Sequence, residues 1–263
     1  MPTRRLTLRR AVIALAMTAV LVTAFATDGT AAEPSTLTVF AASDLTFALR
    51  EIAAAFEQSM KVKVTLVFGS TGNLAKQIEH GAPADVFFSA NQRFLDDLAV
   101  RDAIITQTRT LYGQGRLVLV TAKASGLRLG DLRGLLGDGV RRVAIANPAH
   151  APYGTAAEEA LRTAGLWEAL QPKLVYGENI RQALQYVETG AAAAGIVALS
   201  VAGVPSVHVT PIDPALHKPL NQAAAVVRRS ARPEMGLAFL QFVNGPAGRV
   251  VMKRHGFLLP GEF

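Results

Sequence analysis

The chain has 263 residues, no cysteine and a formal net charge of +7. The lack of cysteine excludes disulfides, thiolate metal sites, a cysteine nucleophile and lipidation of a cysteine at a mature N-terminus. The charge falls to +4 once the four arginines and Asp28 of the first 32 residues are removed. This modest excess, without a cluster of basic and aromatic residues, argues against a nucleic-acid partner.

The first 32 residues have the pattern of a secretory signal peptide. Four arginines lie within the first ten residues, residues 11–26 are uncharged and mostly apolar, and small residues then offer cleavage after Ala26 or Ala32. A retained membrane anchor is the alternative, but the apolar run is shorter than the roughly 20 residues that a span needs. The paired arginines also allow twin-arginine export, but the residues around them do not form a convincing twin-arginine signal. We therefore expect a soluble periplasmic protein.

Short apolar strands alternate with amphipathic helices along the rest of the chain. In the first helix, for example, Leu45, Leu49, Ile52 and Phe56 recur at helical spacing. This alternation predicts parallel sheets with helices on both faces. The predicted strands are 37–41, 62–68, 86–89, 116–121, 142–146, 195–199 and 221–227, and the predicted helices are 45–58, 74–80, 92–100, 131–136, 155–164, 180–189, 233–243 and 247–255.

Three of the predicted strands end in a turn of small or hydroxyl residues that leads into a helix. These turns contain Ser43 and Asp44, then Ser70 and Thr71, then the segment 147–154. A helix start exposes unpaired N–H groups and the positive end of the helix dipole. Because ligands bind beyond the carboxyl ends of strands in open α/β sheets, these turns predict a shared site for a small anion.

Each of these residues also has an ordinary structural interpretation. Ser43 can donate to an anion or cap its helix, and Asp44 is expected to cap its own helix with its N–H facing the site, because a carboxylate would repel a dianion. Ser70 and Thr71 are either anion donors or an ordinary helix start. Tyr153 can contribute its backbone N–H, its hydroxyl, both, or only packing. The fourth helix start, at residues 177–180, could complete a ring of donors.

Signals for catalysis are poor. The five histidines are scattered, and His150, although it lies in the third turn, is expected to be solvated. Ser70 lacks the GxSxG motif of a nucleophile elbow. No base–nucleophile pair is evident, so the sequence favours a binding protein over an enzyme.

Several segments resemble the periplasmic molybdate-binding proteins of ABC transporters. The segments are 39–46, 68–74, 77–90, 147–154, 195–197 and 254–257, and the most specific is Gly81-Ala82-Pro83-Ala84-Asp85-Val86-Phe87-Phe88-Ser89-Ala90. The resemblance covers essentially the whole predicted mature chain.

This resemblance implies a two-lobed type II periplasmic binding protein fold that closes on a tetrahedral oxyanion. Each lobe is expected to be a mostly parallel sheet flanked by helices, with lobe I at 33–115 and 222–263, lobe II at 116–221, and hinge crossings near Gly115 and Asn221. The implied ligand-binding residues are Ser43, Asp44, Ser70, Thr71 at the usual ligand position, and the backbone amides of Tyr153 and Ile180.

The chain departs from the family pattern at two positions. Some members supply a tyrosine just after the Gly-Ile-Val strand, where this chain has Ala198, and Tyr153 is the candidate substitute. Asp44 stands where many members carry serine or asparagine.

The expected function is an exported receptor, not an enzyme, that delivers molybdate and also tungstate to an ABC permease. It is expected to act as a monomer without a cofactor. Two alternatives remain open. One is a receptor of the same fold for sulfate, phosphate or an organic acid, since Asp44 could accept the proton of hydrogen phosphate. The other is an exported hydrolase.

Overall fold

The computed structural model describes residues 36–263, so the predicted signal peptide and both cleavage positions lie outside the described residues. Within this range the strands form two five-stranded sheets. The strands are β1 (Thr36–Ala42), β2 (Lys63–Gly69), β3 (Val86–Ser89), β4 (Thr110–Gly115), β5 (Leu117–Ala122), β6 (Val143–Ala146), β7 (Leu174–Gly177), β8 (Ala194–Ala198), β9 (Val207–Pro211) and β10 (Leu220–Val226).

Helices cover both sheets, and no helix of the described residues is long and apolar enough to cross a membrane. Short 3₁₀ turns also occur, among them Ser43–Leu45 and Leu132–Leu136. The α-helices are α1 (Thr46–Met60), α2 (Thr71–Glu79), α3 (Arg93–Val100), α4 (Pro152–Thr163), α5 (Trp167–Leu170), α6 (Ile180–Glu188), α7 (Leu199–Ala202), α8 (Pro233–Asn244) and α9 (Pro246–Arg254).

The first sheet has the strand order β2-β1-β3-β10-β4 and forms lobe I with helices α1–α3, α8 and α9. Successive residues of a strand face opposite sides. Val39 accordingly packs in the cluster that includes Phe239 of α8, whereas its neighbour Phe40 packs with Leu74 of α2 and Leu95 of α3. Helices therefore bury both faces of this sheet.

The second sheet has the order β7-β6-β8-β5-β9 and forms lobe II with helices α4–α7. Its strands β6 and β8 are buried along their whole length. Its core also takes in Ala42 and Ala90 from the ends of lobe I strands. The two lobes therefore touch through apolar side chains at the edge where the strand ends meet.

The two-lobed fold expected from the resemblance is confirmed, but the sheets are mixed rather than mostly parallel. In lobe I, β1 is parallel to β2 and β3, whereas β10 is antiparallel to β3 and β4. In lobe II, β6 is parallel to β7 and β8, whereas β5 is antiparallel to β8 and β9. Parallel neighbours need a crossover connection, whereas β5 and β10 each enter their sheet directly from the other lobe.

The strands predicted from the sequence are present with small differences at their ends. The helix predicted at 155–164 begins earlier, at Pro152, and the helix predicted at 131–136 is the 3₁₀ turn Leu132–Leu136. The prediction missed β4, β7 and β9. Glycines interrupt the apolar pattern of β4, β7 has only four residues, and β9 ends at a proline.

Candidate anion-binding site

Four helix starts meet where the two lobes touch. They are the 3₁₀ turn after β1 and the first turns of α2, α4 and α6, and together they line one small cavity of about 10 Å³. All six residues predicted from the sequence are buried in its wall. The lining residues are Ala42, Ser43, Asp44, Gly69, Ser70, Thr71, Ala90, Ala151, Pro152, Tyr153 and Ile180.

Unused backbone donors are concentrated in this wall. The first N–H groups of a helix have no acceptor within the helix. Within residues 36–263, the N–H groups of Thr71, Tyr153 and Ile180 have no hydrogen-bond acceptor. At α6 the next two N–H groups are instead taken by the side chain of Asn179, at 3.0 and 3.1 Å. Helix starts of this kind are suited to holding an anion.

Two hydroxyls add further donors. Thr71 Oγ1 accepts the N–H of Ala90 at 3.1 Å, and because a hydroxyl carries one hydrogen and two acceptor sites, its O–H can still donate to a bound group. Ser43 uses its backbone carbonyl to accept the Thr46 hydroxyl at 2.6 Å. The Ser43 Oγ itself makes no hydrogen bond to the part of the chain that the structure describes.

The expectation that His150 is merely solvated is wrong. Its Nδ1 lies 2.8 Å from Ser70 Oγ, and its backbone carbonyl accepts the N–H of Gly72 at 2.9 Å. His150 belongs to the turn before α4 in lobe II, whereas Ser70 and Gly72 belong to the start of α2 in lobe I. A lone histidine in a sequence gives no sign of such a long-range contact.

The expectation that Asp44 caps its helix is also wrong. No side chain caps the turn Ser43–Leu45 or helix α1. The Asp44 carboxyl instead points to β10, where its Oδ2 accepts Gln222 Nε2 at 2.8 Å, and its Oδ1 is buried without a hydrogen-bond partner among the described residues. Burial raises the pKa of Asp44 to about 7, although hydrogen bonds from Gln222 and Tyr153 act in the opposite direction.

Gln222 is the centre of a buried polar network that sequence reasoning missed. Its Nε2 also donates to the Tyr153 hydroxyl at 2.9 Å, and its Oε1 accepts the Tyr112 hydroxyl at 2.7 Å. Ser200 Oγ donates to the Asp44 carbonyl at 2.8 Å. Burial raises the pKa of both tyrosines well above 10, so they stay neutral. No motif marks these residues, because they come from β4, β10 and α7.

The sequence left open whether Tyr153 contributes its backbone N–H, its hydroxyl, both or only packing, and this network shows what each group contacts. Its hydroxyl accepts Gln222 Nε2 and interacts with the Asp44 carboxyl, so it belongs to the buried network, whereas its backbone N–H has no acceptor among the described residues. No lysine or arginine lies among the lining residues. An anion in this cavity would therefore be held by N–H and O–H dipoles, which make stronger hydrogen bonds to a charged acceptor than to a neutral one.

The chain passes between the two lobes twice, from β4 to β5 and from β9 to β10. Helix starts from both lobes converge on one buried set of neutral donors. These features define a two-lobed solute-binding protein. Residues 37–258 match the model of the bacterial extracellular solute-binding proteins, and the chain belongs to this family.

Individual relatives support this assignment. The chain is 39% identical over 247 residues to the molybdate-binding protein ModA of Escherichia coli K12, a match that spans 89% of this chain and 94% of that protein. It is 34% identical to the molybdate-binding protein ModA of Azotobacter vinelandii, over 86% of this chain and 91% of that one. The solved periplasmic molybdate-binding protein of A. vinelandii superimposes with a TM-score of 0.80 at 31% identity, covering 85% of this chain and 99% of that structure. The resemblance inferred from the sequence is confirmed.

Proposed function

We propose that this protein is an exported receptor that binds molybdate, and also tungstate, and delivers it to the membrane permease of an ABC transporter. The observation that carries the proposal is the ring of neutral donors contributed by both lobes around one buried cavity. Two relatives, at 34% and 39% identity, are molybdate-binding proteins, and this supports the choice of anion.

The proposed ligand-binding residues are the six predicted from the sequence. Thr71 and Ser43 donate through their hydroxyls, and Tyr153 and Ile180 through their backbone N–H groups. Ser70 donates its hydroxyl. Asp44 takes part through its backbone, since its carboxyl is bonded to Gln222 on the side of β10.

Neutral donors suit a receptor that must both hold and release a dianion. Each hydrogen bond to a charged group is worth about 1.5–3 kcal/mol, so several of them can hold the anion without an opposing cation. The receptor needs no cofactor and performs no catalysis in this proposal. It acts as a monomer, with lobe I at 33–115 and 222–263, lobe II at 116–221, and hinge crossings near Gly115 and Asn221.

Export follows from the predicted signal peptide. Intact mass measurement of the protein recovered from the periplasm should give a chain that begins after Ala26 or Ala32. Recovery of the uncleaved chain in the membrane fraction would contradict this part of the proposal.

A panel of anions tests the proposed specificity. Protein stripped of bound anion is titrated by calorimetry with molybdate, tungstate, sulfate and phosphate. Molybdate and tungstate should bind most tightly, as the molybdate-binding relatives suggest, and each N–H group that a poorly matched anion leaves unpaired should cost about 1–3 kcal/mol. Displacement of molybdate by sulfate or phosphate at comparable concentration would overturn the assignment, and turnover of model esters would favour a hydrolase.

A further inference from the structure

The turn between β6 and α4 is built as a rigid unit that reaches across to lobe I. The N–H groups of His150 and Ala151 both donate to the Asn147 carbonyl, at 3.3 and 2.9 Å, and the Asn147 side chain accepts the N–H of Ala149 at 3.0 Å. The Asn147 N–H is in turn held by the Gly177 carbonyl at 2.8 Å. The position of His150 is therefore fixed by its own lobe.

The start of α2 is shaped to receive this turn. A Cβ added at Gly72 would lie 2.8 Å from the His150 carbonyl oxygen and 3.1 Å from both His150 Cα and Cβ. The three nearest atoms all belong to His150, and none belongs to lobe I. Gly72 has an ordinary backbone conformation for a helix, so the need for glycine here arises from the approach of the other lobe.

The second contact of His150 falls on a residue of the anion cavity. Ser70 lines the cavity and is only 3% exposed, and its hydroxyl has a single hydrogen to donate. If His150 Nδ1 carries its proton, it donates to Ser70 Oγ, and the Ser70 hydrogen is then free to point into the cavity. The other tautomer would draw that hydrogen away from the cavity.

We propose that His150 is a positioning residue that holds lobe II closed against lobe I and directs the Ser70 hydroxyl toward the bound anion. Its carbonyl holds the first turn of α2 through Gly72, and its Nδ1–H donates to Ser70 Oγ. The inference rests on the proposed anion binding of this cavity, and it adds a residue that does not itself line the cavity.

Two kinds of variant test this role. Gly72→Ala places a methyl group against His150 and should weaken molybdate binding at least tenfold, mainly through faster release, while the melting temperature of the anion-free protein stays unchanged. Gly139→Ala is the matched control, since a Cβ there meets nothing within 4 Å, and it should bind as the wild type does.

Substitution of the histidine separates positioning from packing. In His150→Asn the amide nitrogen can occupy the place of Nδ1, and in His150→Gln it extends to the place of Nε2. His150→Asn should retain most of the affinity, whereas His150→Gln and His150→Ala should lose about tenfold. Ser70→Ala should lose a similar factor, and adding Ser70→Ala to His150→Ala should cost little more.

The results distinguish this inference from the proposed function. A wild-type protein that binds none of molybdate, tungstate, sulfate and phosphate would overturn both. A wild-type protein that binds molybdate while Gly72→Ala and His150→Gln bind it equally well would overturn the role of His150 alone. Equal losses in His150→Asn and His150→Gln, together with a lower melting temperature without anion, would indicate ordinary packing and would also overturn it.

Discussion

Asp44 is a buried carboxyl group whose charged and protonated forms have nearly equal free energy close to neutral pH. The charged form is buried with one oxygen unpartnered among the described residues and no basic side chain in the cavity wall. The protonated form is the one that burial favours, and it is held beside the Gln222 amide. A pKa of about 7 places the exchange between the two forms near neutral pH.

The stability of the protein should therefore depend on pH through Asp44. Its pKa in the folded chain, about 7, exceeds the ordinary 3.8, so between these values the folded state binds a proton that the unfolded state lacks. The free energy of unfolding should fall as the pH rises from about 4 to about 7 and should then level off. Asp44 alone should account for a fall of up to ~4 kcal/mol.

Asp44→Asn is the direct test, because it replaces the carboxyl with a neutral group of the same shape. Urea unfolding at several pH values gives the free energy of unfolding of each protein. In the difference between the two proteins, the contributions of the other titrating groups cancel. The variant should be more stable than the wild type at pH 8, and the advantage should shrink toward pH 4. A constant difference across this range would contradict the raised pKa.

Thr71 and Ser43 carry the hydroxyls of the proposed site. Thr71→Ala and Ser43→Ala should each weaken molybdate binding by roughly 1.5–3 kcal/mol, which is about 10- to 150-fold, because each removes a hydrogen bond to a charged ligand. Thr71→Asp should be worse, since it brings a negative charge to the anion. Calorimetry on the folded variants measures this, with Thr71→Ser as the control that keeps the hydroxyl. Unchanged affinity in both alanine variants would remove these turns from the site.

At the level of single residues, the sequence predicted the side chains that follow strands in local motifs. Ser43, Thr71 and Tyr153 could be found because a hydroxyl or aromatic residue at a helix start has a recognisable local pattern. Gln222 could not, because its partners Asp44 and Tyr153 lie 178 and 69 positions away.

Helix α6 shows how a secondary-structure element prepares a donor for the site. Asn179 caps it by accepting two N–H groups, while the N–H of Ile180 stays unused at the cavity wall. The cap thus fixes the direction of the first turn without using the donor that faces the anion in the proposed site.

Asn179→Ala should therefore lower both stability and affinity. Loss of the cap should cost about 0.5–2 kcal/mol of stability, and fraying of the first turn should weaken anion binding by disordering the Ile180 N–H. Asp131→Ala is the matched control, because Asp131 caps the 3₁₀ turn Leu132–Leu136 by accepting the Gly134 N–H, away from the cavity. Thermal unfolding and calorimetry together should show a stability loss in both variants and an affinity loss only in Asn179→Ala.

The secondary structure was predictable where apolar periodicity and turn residues agree, as in α1 and β3. It was not predictable for β4, where Gly113 and Gly115 weaken the strand pattern and pairing with β10 decides the conformation. The antiparallel placement of β5 and β10 was missed for a related reason. The alternation of strands and helices along the chain indicates crossover connections within one sheet. It does not reveal where the chain leaves one sheet and enters the other.

On the scale of the whole molecule, the two lobes are joined by polar contacts around the cavity. Asn73 Nδ2 of α2 donates to Glu178 Oε1 before α6 at 3.0 Å, and Gln222 of β10 donates to Tyr153 of α4. An anion that takes donors from both lobes stabilises only the conformation in which both reach it.

Molybdate should accordingly make the protein more compact. Small-angle scattering of the anion-free protein and of the same sample at saturating molybdate should give a smaller radius of gyration with the anion. The Thr71→Asp variant serves as a control that should show no change at the same concentration. Identical curves for the wild type with and without anion would contradict a site that bridges the lobes.

The position of β10 inside the first sheet has a consequence for how the protein is made. Strand β10 lies between β3 and β4, and among residues 36–263 it is the only strand that pairs with β4. Within the same range, the strands of the second sheet all come from residues 117–211. As the exported chain emerges with its N-terminus first, the sheet of residues 117–211 can be completed while the first sheet still waits for residues 220–226. The part of the chain that emerges first is therefore the last to be finished, and strand pairings across more than 100 positions make that final step the slow one.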